Sequence, residues 1–396
     1  MKSVYRIIGI SLLVIIILSV GCVKRDNPVV PETPPAGQVA WFTHQYDGLT
    51  GANSVWNRYP ARRVAVYTPP GYDFEKIGPR YPTLYLLPGF DGEPSFSFEY
   101  GNETYYLAAS IAKVADRLIA SGEIKPLFIV MPDASIPYGG SFYANSTLAG
   151  KWEDMMSVEL VHKIDTLTTT DTRPGSGFRT LAAKESRAIG GHSSGGYGAI
   201  RIAMTNDSLF NSVSAIDAPL ALTGIQELFG PYLNESGITT EEQYQAADTT
   251  GFRAKPYKVL FYSMAATYSP APKTNDTGLG SLRISLPFDF HGNVVDSVWD
   301  KWLANDLYGW LDNATYKSVL TNQNLYFETS DHDVNMFNQQ TRLFEQKLTS
   351  LGINYQSATF SIYAGANAQS RTFLYDRLEY ILKFHAKHLR DRDGKY

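Results

Sequence analysis

The residues Gly191-His192-Ser193-Ser194-Gly195 constrain this chain more than any other five. They follow a short strand-like run, Ser186–Gly190, and open a helix-like run that continues from Tyr197 to Met204. A serine on so sharp a strand-to-helix turn sits in strained backbone, and its neighbours must be small for the turn to close. Gly191, Gly195 and Gly196 meet that demand. This is the context of a nucleophile elbow, which presents a serine Oγ at the carboxyl edge of a sheet. Ser193 is therefore the candidate nucleophile, set against the plainer reading of a glycine-rich connector.

The rest of the chain supplies a sheet for that elbow. Arg62–Tyr67 alternates as a strand and ends at Thr68-Pro69-Pro70-Gly71. Thr83–Leu87 and Leu127–Met131 are unbroken apolar runs, the pattern of strands buried on both faces. Between them, Tyr105–Ala120 places Ile111, Val114 and Leu118 at helical spacing and stops near Gly122, which predicts a crossover helix. Met155–Leu167 predicts a second helix, and Ser212–Ile216 and Asn324–Thr329 two further strands. Phe337–Leu351 predicts a helix closed by Gly352, Ala358–Tyr363 the last strand and Phe373–Leu389 the last helix. Repeated units of this kind build an α/β fold, a mostly parallel sheet with helices on both faces and its site at the strands' carboxyl ends. The stretch of about 217–323 breaks the rhythm and carries Phe229, Tyr232, Tyr244, Phe261, Tyr262, Tyr268, Trp299, Trp302, Tyr308 and Trp310. It reads as an insertion over the site edge, whose rings either stack on a sugar or aryl ligand or pack the insertion onto the sheet.

At the amino end, Lys2 and Arg6 precede an apolar run, Ile7–Leu18, that is short for a membrane span and flanked as a signal peptide is. Residues 1–21 are read as that signal. Leu18-Ser19-Val20-Gly21-Cys22 resembles a bacterial lipobox with Cys22 as the acylated residue, although Ser19 stands where leucine is usual. Cys22 is the single cysteine of the chain, so an intrachain disulfide is excluded. Residues 22–40, with Pro28, Pro31, Pro34 and Pro35, read as an extended tether, leaving 41–396 as one α/β domain. The expectation is a protein of the bacterial cell envelope that meets the membrane through its lipid alone. A net charge of −4 without a basic run speaks against nucleic acid. Phosphate-loop and dinucleotide signatures are absent, so no cofactor is expected. Asp331-His332-Asp333 is too short to be a metal site by itself.

Several segments together carry a resemblance: Val66-Tyr67-Thr68-Pro69-Pro70-Gly71-Tyr72, Tyr85-Leu86-Leu87-Pro88-Gly89-Phe90, Met131-Pro132-Asp133, Gly140-Ser141-Phe142-Tyr143-Ala144-Asn145-Ser146, Trp152-Glu153-Asp154, and Arg187 through Gly198 around the elbow. They resemble the esterase family of α/β-hydrolase fold that includes esterase D-type S-formylglutathione hydrolases, feruloyl esterases and mycolyltransferases, over nearly the whole mature domain. The resemblance implies Ser193 as nucleophile, the backbone N–H groups of Phe90 and Ser194 as oxyanion hole, and Asp333 as the acid. It also implies Tyr143, Asn145 and Trp152 as substrate-binding candidates near the active-site loop, with structural roles in holding that loop equally open, while His192, within the elbow, lines the pocket or packs.

Two departures from the family pattern matter. Pro88 replaces the histidine usual before Gly89, which leaves the next residue's backbone donor in place. At Tyr363-Ala364-Gly365-Ala366-Asn367 the family reads aromatic-x-Gly-Gly-His, and this chain ends in Asn367. An asparagine amide cannot take the serine proton and return it to the leaving alkoxide. Losing that histidine costs on the order of a million-fold in turnover, with roughly a thousand-fold over water retained. No histidine lies between Asp333 and Phe384. His332, beside Asp333, is the candidate substitute base unless it is a loop residue pointing outward, and His291 in the insertion is a weaker one. His44, His162, His385 and His388 read as surface or helix-face residues. Asp217, directly after its strand, is an alternative acid or a cap on the insertion. The expected function is a surface-tethered carboxylic-ester hydrolase acting on a small-molecule or carbohydrate ester and impaired at its base. The rival is a non-catalytic ligand- or carbohydrate-binding pseudo-esterase whose elbow survives for packing.

Overall fold

The uninterrupted apolar runs are the inner strands of an eight-stranded sheet. The computed structural model describes residues 36–49, 61–89, 102–166, 177–272, 278–333, 335–361 and 374–395; the span read as a signal, Cys22, most of the span read as a tether, Phe90 and Asn367 lie outside them. The strands are β1 (Gln38–Gln45), β2 (Ala61–Thr68), β3 (Thr83–Leu87), β4 (Phe128–Pro132), β5 (Arg187–His192), β6 (Ser212–Ile216), β7 (Asn324–Ser330) and β8 (Gln356–Phe360), in the order β1-β2-β4-β3-β5-β6-β7-β8. The pairs β1–β2 and β2–β4 are antiparallel, and all others are parallel. Pro35–Tyr396 is one compact unit.

Successive residues of each inner strand point to opposite faces, and both faces are covered. On one side Ala65, Tyr67, Leu84, Leu86, Ile129 and Met131 pack against α1 (Asn102–Ala120) and the last helix, α5 (Leu374–His388). On the other, Val64, Val66, Tyr85, Leu87, Phe128 and Val130 meet the elbow helix α2 (Ser194–Thr205) and α4 (Phe337–Ser350). Each large apolar side chain so enclosed contributes about 2 kcal/mol. This two-sided burial is why β3 and β4 read as continuous apolar runs.

One expectation is corrected and one open choice is narrowed. The domain starts earlier than residue 41, because Gln38, Val39 and Ala40 pair with Thr68, Tyr67 and Val66 as the first rungs of β1. In the insertion, the rings pack on one another. Phe229, Tyr232, Phe261, Tyr262, Tyr268 and Trp302 are buried, with Tyr268 edge-on to Trp302 at 5.8 Å. The Trp302 indole N–H donates to Ser269 Oγ at 2.9 Å, and the Tyr244 hydroxyl to the Phe288 carbonyl at 2.7 Å. Around them lies α3 (Pro256–Tyr268), buried on nearly every side from Lys258 onward. No described helix is long and apolar enough to cross a membrane.

Candidate active site

The functional side chains gather at the carboxyl ends of β3, β5, β6 and β7. Ser193 follows β5 with φ 54° and ψ −130°, a conformation L-residues rarely adopt. Its N–H donates to the Ile216 carbonyl of β6 at 2.9 Å, and its carbonyl accepts the Tyr197 N–H at 3.1 Å, opening α2. The glycines are required by close approach. A Cβ on Gly195 would lie 2.0 Å from the Leu87 carbonyl oxygen, and one on Gly191 2.5 Å from the same atom. The end of β3 is thus pressed into the elbow, and its continuation reaches the nucleophile. A Cβ on Gly89 would lie 2.9 Å from Ser193 Cβ. The loop after β3 therefore leaves beside Ser193; Phe90, expected there as an oxyanion donor, lies outside the described residues. Ser194 is buried at the start of α2, and its hydroxyl takes no hydrogen bond among the described residues.

Asp333 lies beyond β7, buried, at the entrance to α4. Its two carboxylate oxygens accept the Asn335 and Phe337 N–H groups, each at 3.1 Å. Burial, followed by the charge of Asp217, pushes its pKa up to about 7, against the pull of those N–H groups and of Arg377. Asp217 itself, at φ 36°, is committed elsewhere: one oxygen accepts the Ser330 N–H at 2.7 Å, the other the Arg377 guanidinium at 2.8 Å. Arg377, wholly buried on α5, also pairs with Glu328 of β7. Among the described residues the Asp217 side chain is thus tied to β7 and α5 and not to a histidine. It clamps the strand end from which the Asp333 loop departs, and Arg342 and Asn338 hold the Ser330 carbonyl of that same strand end.

The histidines divide sharply. His332 and His291 are exposed; His332 offers its backbone carbonyl to the Ser330 hydroxyl at 2.9 Å, and His291 sets its ring against Phe290. His192 is buried, with Nε2 3.0 Å from the place a Cβ would take on Gly89, the point that also lies 2.9 Å from Ser193 Cβ. Its imidazole is thus beside the loop that follows β3. His385, read as a surface or helix-face residue, lies on the inward face of its helix: it is fully buried on α5, with Nδ1 2.7 Å from Ser212 Oγ and Nε2 2.9 Å from Ser214 Oγ. Burial depresses its pKa to about 3. Its Nε2 sits against Gly190, three residues down the strand from Ser193, or about 10 Å, so it is out of proton-transfer reach.

Tyr143, Trp152 and Asn145, read as pocket candidates or as loop-holding residues, all bond to the loops around them. Tyr143 has no exposed surface and donates its hydroxyl to the Pro88 carbonyl at 2.6 Å. Trp152 is equally buried and donates its indole N–H to the Ala149 carbonyl at 2.7 Å. Asn145 is exposed, but its amide spans Asp154, donating to Oδ1 at 2.8 Å and accepting the backbone N–H at 3.2 Å. Among the described residues no three His, Cys, Asp or Glu side chains converge as a metal site. Arg377 and His385 were missed by sequence reading, though a signal existed: both lie at helical spacing among Leu378, Ile381 and Leu382, on the face turned to the core.

Comparison with known proteins agrees with this geometry. A family model described as "Putative esterase" matches residues 60–336. Esterase Rv1288 of Mycobacterium tuberculosis is 29% identical over 155 residues, a match covering 38% of this chain and only 28% of that protein. Among solved structures, a ferulic acid esterase aligns over 89% of this chain and 99% of its own with a TM-score of 0.55 at 17% identity. FphF, a fluorophosphonate-binding serine hydrolase of Staphylococcus aureus, covers the same shares at 0.52 and 16%. An S-formylglutathione hydrolase from Agrobacterium tumefaciens aligns over 90% of this chain and 97% of its own at 0.50 and 16%. At these identities the structural likeness establishes the α/β-hydrolase fold.

Proposed function

The chain belongs to the esterase family, and from that premise we propose that it is a carboxylic-ester hydrolase with Ser193 as nucleophile, slowed because Asn367 occupies the position of the family's base. The observation that carries the reading is the elbow itself: Ser193 held at φ 54° against Gly89, where an acyl carbonyl would sit between the nucleophile and the loop's donors. In this scheme Ser193 Oγ attacks the ester carbonyl, and the oxyanion is received by the N–H groups of Ser194 and Phe90. The alkoxide departs with a proton, and water then releases the acid from the acyl-serine. Oxyanion stabilisation of this kind is the largest single contribution in such sites, and it survives the loss of the base. Proton movement does not, because the Asn367 amide can orient water but cannot carry its proton. The substrate class is an acyl ester of a small molecule or carbohydrate.

The test is labelling by a fluorophosphonate probe. Wild-type protein is expected to label slowly at Ser193 and the Ser193→Ala variant not at all. Absence of wild-type labelling under conditions that label a competent esterase leaves the non-catalytic binding reading in possession of the fold. The same proposal sets the domain on a lipid at Cys22 in the cell envelope; Cys22→Ser is expected to release it from membranes once the apolar segment is removed.

A further inference from the structure

Tyr143 joins the insertion to the oxyanion loop. Its backbone is at φ 51°, a left-handed conformation that a bulky residue holds only where its surroundings impose it. The side chain is buried completely between two parts of the site. Its ring lies on the elbow helix at Gly198, where a Cβ would come within 2.4 Å of ring carbons. Its hydroxyl donates to the Pro88 carbonyl at 2.6 Å. That carbonyl belongs to the peptide that leads into Gly89, the residue pressed on Ser193.

The segment carrying Tyr143 is anchored from the far side by the insertion. Ser263 of α3 donates its hydroxyl to the Tyr138 carbonyl at 2.6 Å, and the Ser146 hydroxyl donates to the Ala266 carbonyl at 2.6 Å. The Tyr138 hydroxyl reaches the Leu282 carbonyl at 2.6 Å. Phe142 is wedged between Tyr197 of the elbow helix and Tyr268 of α3, with ring centroids at 5.9 and 5.7 Å.

We propose that Tyr143 is a positioning residue for the oxyanion hole: through its bond to Pro88 it fixes the Pro88–Gly89 peptide relative to Ser193, and the insertion acts as its brace. The inference rests on the ester-hydrolase reading for its kinetic consequence, but not for its structural one. A peptide plane free to rotate at Pro88 moves the following N–H groups, and misplacement by about an ångström costs up to a hundred-fold in rate. Removing an oxyanion donor outright costs about a hundred- to a thousand-fold.

The experiment compares Tyr143→Phe, which deletes only the hydroxyl, with Gly198→Ala, which keeps it but pushes the ring. Two readouts are taken: the rate of fluorophosphonate labelling together with kcat and KM on an aryl acetate, and hydrogen exchange of a peptide covering Leu86–Gly89. Both variants are expected to label ten- to a hundred-fold more slowly, with kcat reduced, KM unchanged and exchange of the loop amides about tenfold faster. A Tyr143→Phe variant that folds and keeps both wild-type labelling and wild-type exchange overturns the proposal. So does a loss confined to KM. If wild-type protein does not label, the hydrolase reading fails, and the exchange readout alone decides: unchanged protection in both variants refutes the brace, and increased exchange in both upholds it.

Discussion

Replacing Arg377 with methionine tests the structural frame behind the acid. The guanidinium is wholly buried, bonded to Asp217 at 2.8 Å and to Glu328. Methionine fills much of the volume and leaves two buried carboxylates without their cation. Breaking a buried pair in this way costs about 3–5 kcal/mol. For a folded unit running from Pro35 to Tyr396, an unfolding entropy of about 2.1 cal/mol/K per residue amounts to roughly 0.75 kcal/mol/K. The expected fall in Tm is therefore about 4–7 °C at pH 8. The pH dependence identifies the cause. Burial already holds Glu328 above the ordinary carboxylate range, and Arg377 opposes that rise. Without Arg377 the folded-state pKa climbs further, and stability is lost as pH rises through it. The deficit should thus shrink on acidification toward pH 5. Melting curves of both proteins from pH 5 to 8 decide it: a deficit under about 1 °C, or one that does not vary with pH, refutes the reasoning.

Four further outcomes follow from the same geometry. Asn367→His should raise ester hydrolysis over wild type, measured with an aryl acetate, and the rate should climb as pH passes about 7, where Asp333 ionises. Asp333→Asn should abolish that gain; because the folded-state pKa of Asp333 is raised, wild-type stability falls as pH rises toward and through 7, so the variant's relative stability should improve above pH 7 in thermal melts. Gly195→Ala places a Cβ 2.0 Å from the Leu87 carbonyl, a clash between two backbones, and should eliminate Ser193 labelling with a large loss of Tm, whereas Ser193→Ala should melt like wild type. His385 has a folded pKa of about 3, depressed by burial, so the unfolded chain takes up its proton first and stability falls as pH drops below about 6.5; His385→Gln should flatten that part of the profile.

How much of this was legible depends on whether a constraint is local. β3 and β4 could be read because burial on both faces leaves no polar position in the run, and the elbow because three backbones meet at Gly191 and Gly195. β1 was assigned in part to the tether because an edge strand is half exposed, and its first residues, Gln38 and Val39, follow directly on the proline-rich segment. The aromatic insertion was undecidable by composition: the rings needed to build a small core are the rings needed to hold a sugar. The Asp217–Arg377 pair spans 160 residues and has no local signature beyond a charge on an apolar helix face. Tyr143 was marked by resemblance with a pocket role and a loop-holding role both open, and nothing in its neighbours announces its bond to Pro88.

These differences bear on whether the site works. The glycines of the elbow are demanded by packing against Leu87, so they would persist in a protein that had ceased to hydrolyse anything. Asp333 is different. Its two bonds to the N–H groups ahead of α4 could be met in part by a neutral asparagine, yet the chain keeps a carboxylate that burial and Asp217 push up to about 7. A buried acid that opposes stability above neutrality has no packing justification of its own, and perturbed groups of this kind concentrate at working sites. Asp333 is thus the group that the proposed chemistry at Ser193 would use, and Asn367 would bear on its rate. On the proposed reading, Ser193 would supply the nucleophile and Asp333 the acid, and the proton carrier would be the missing part.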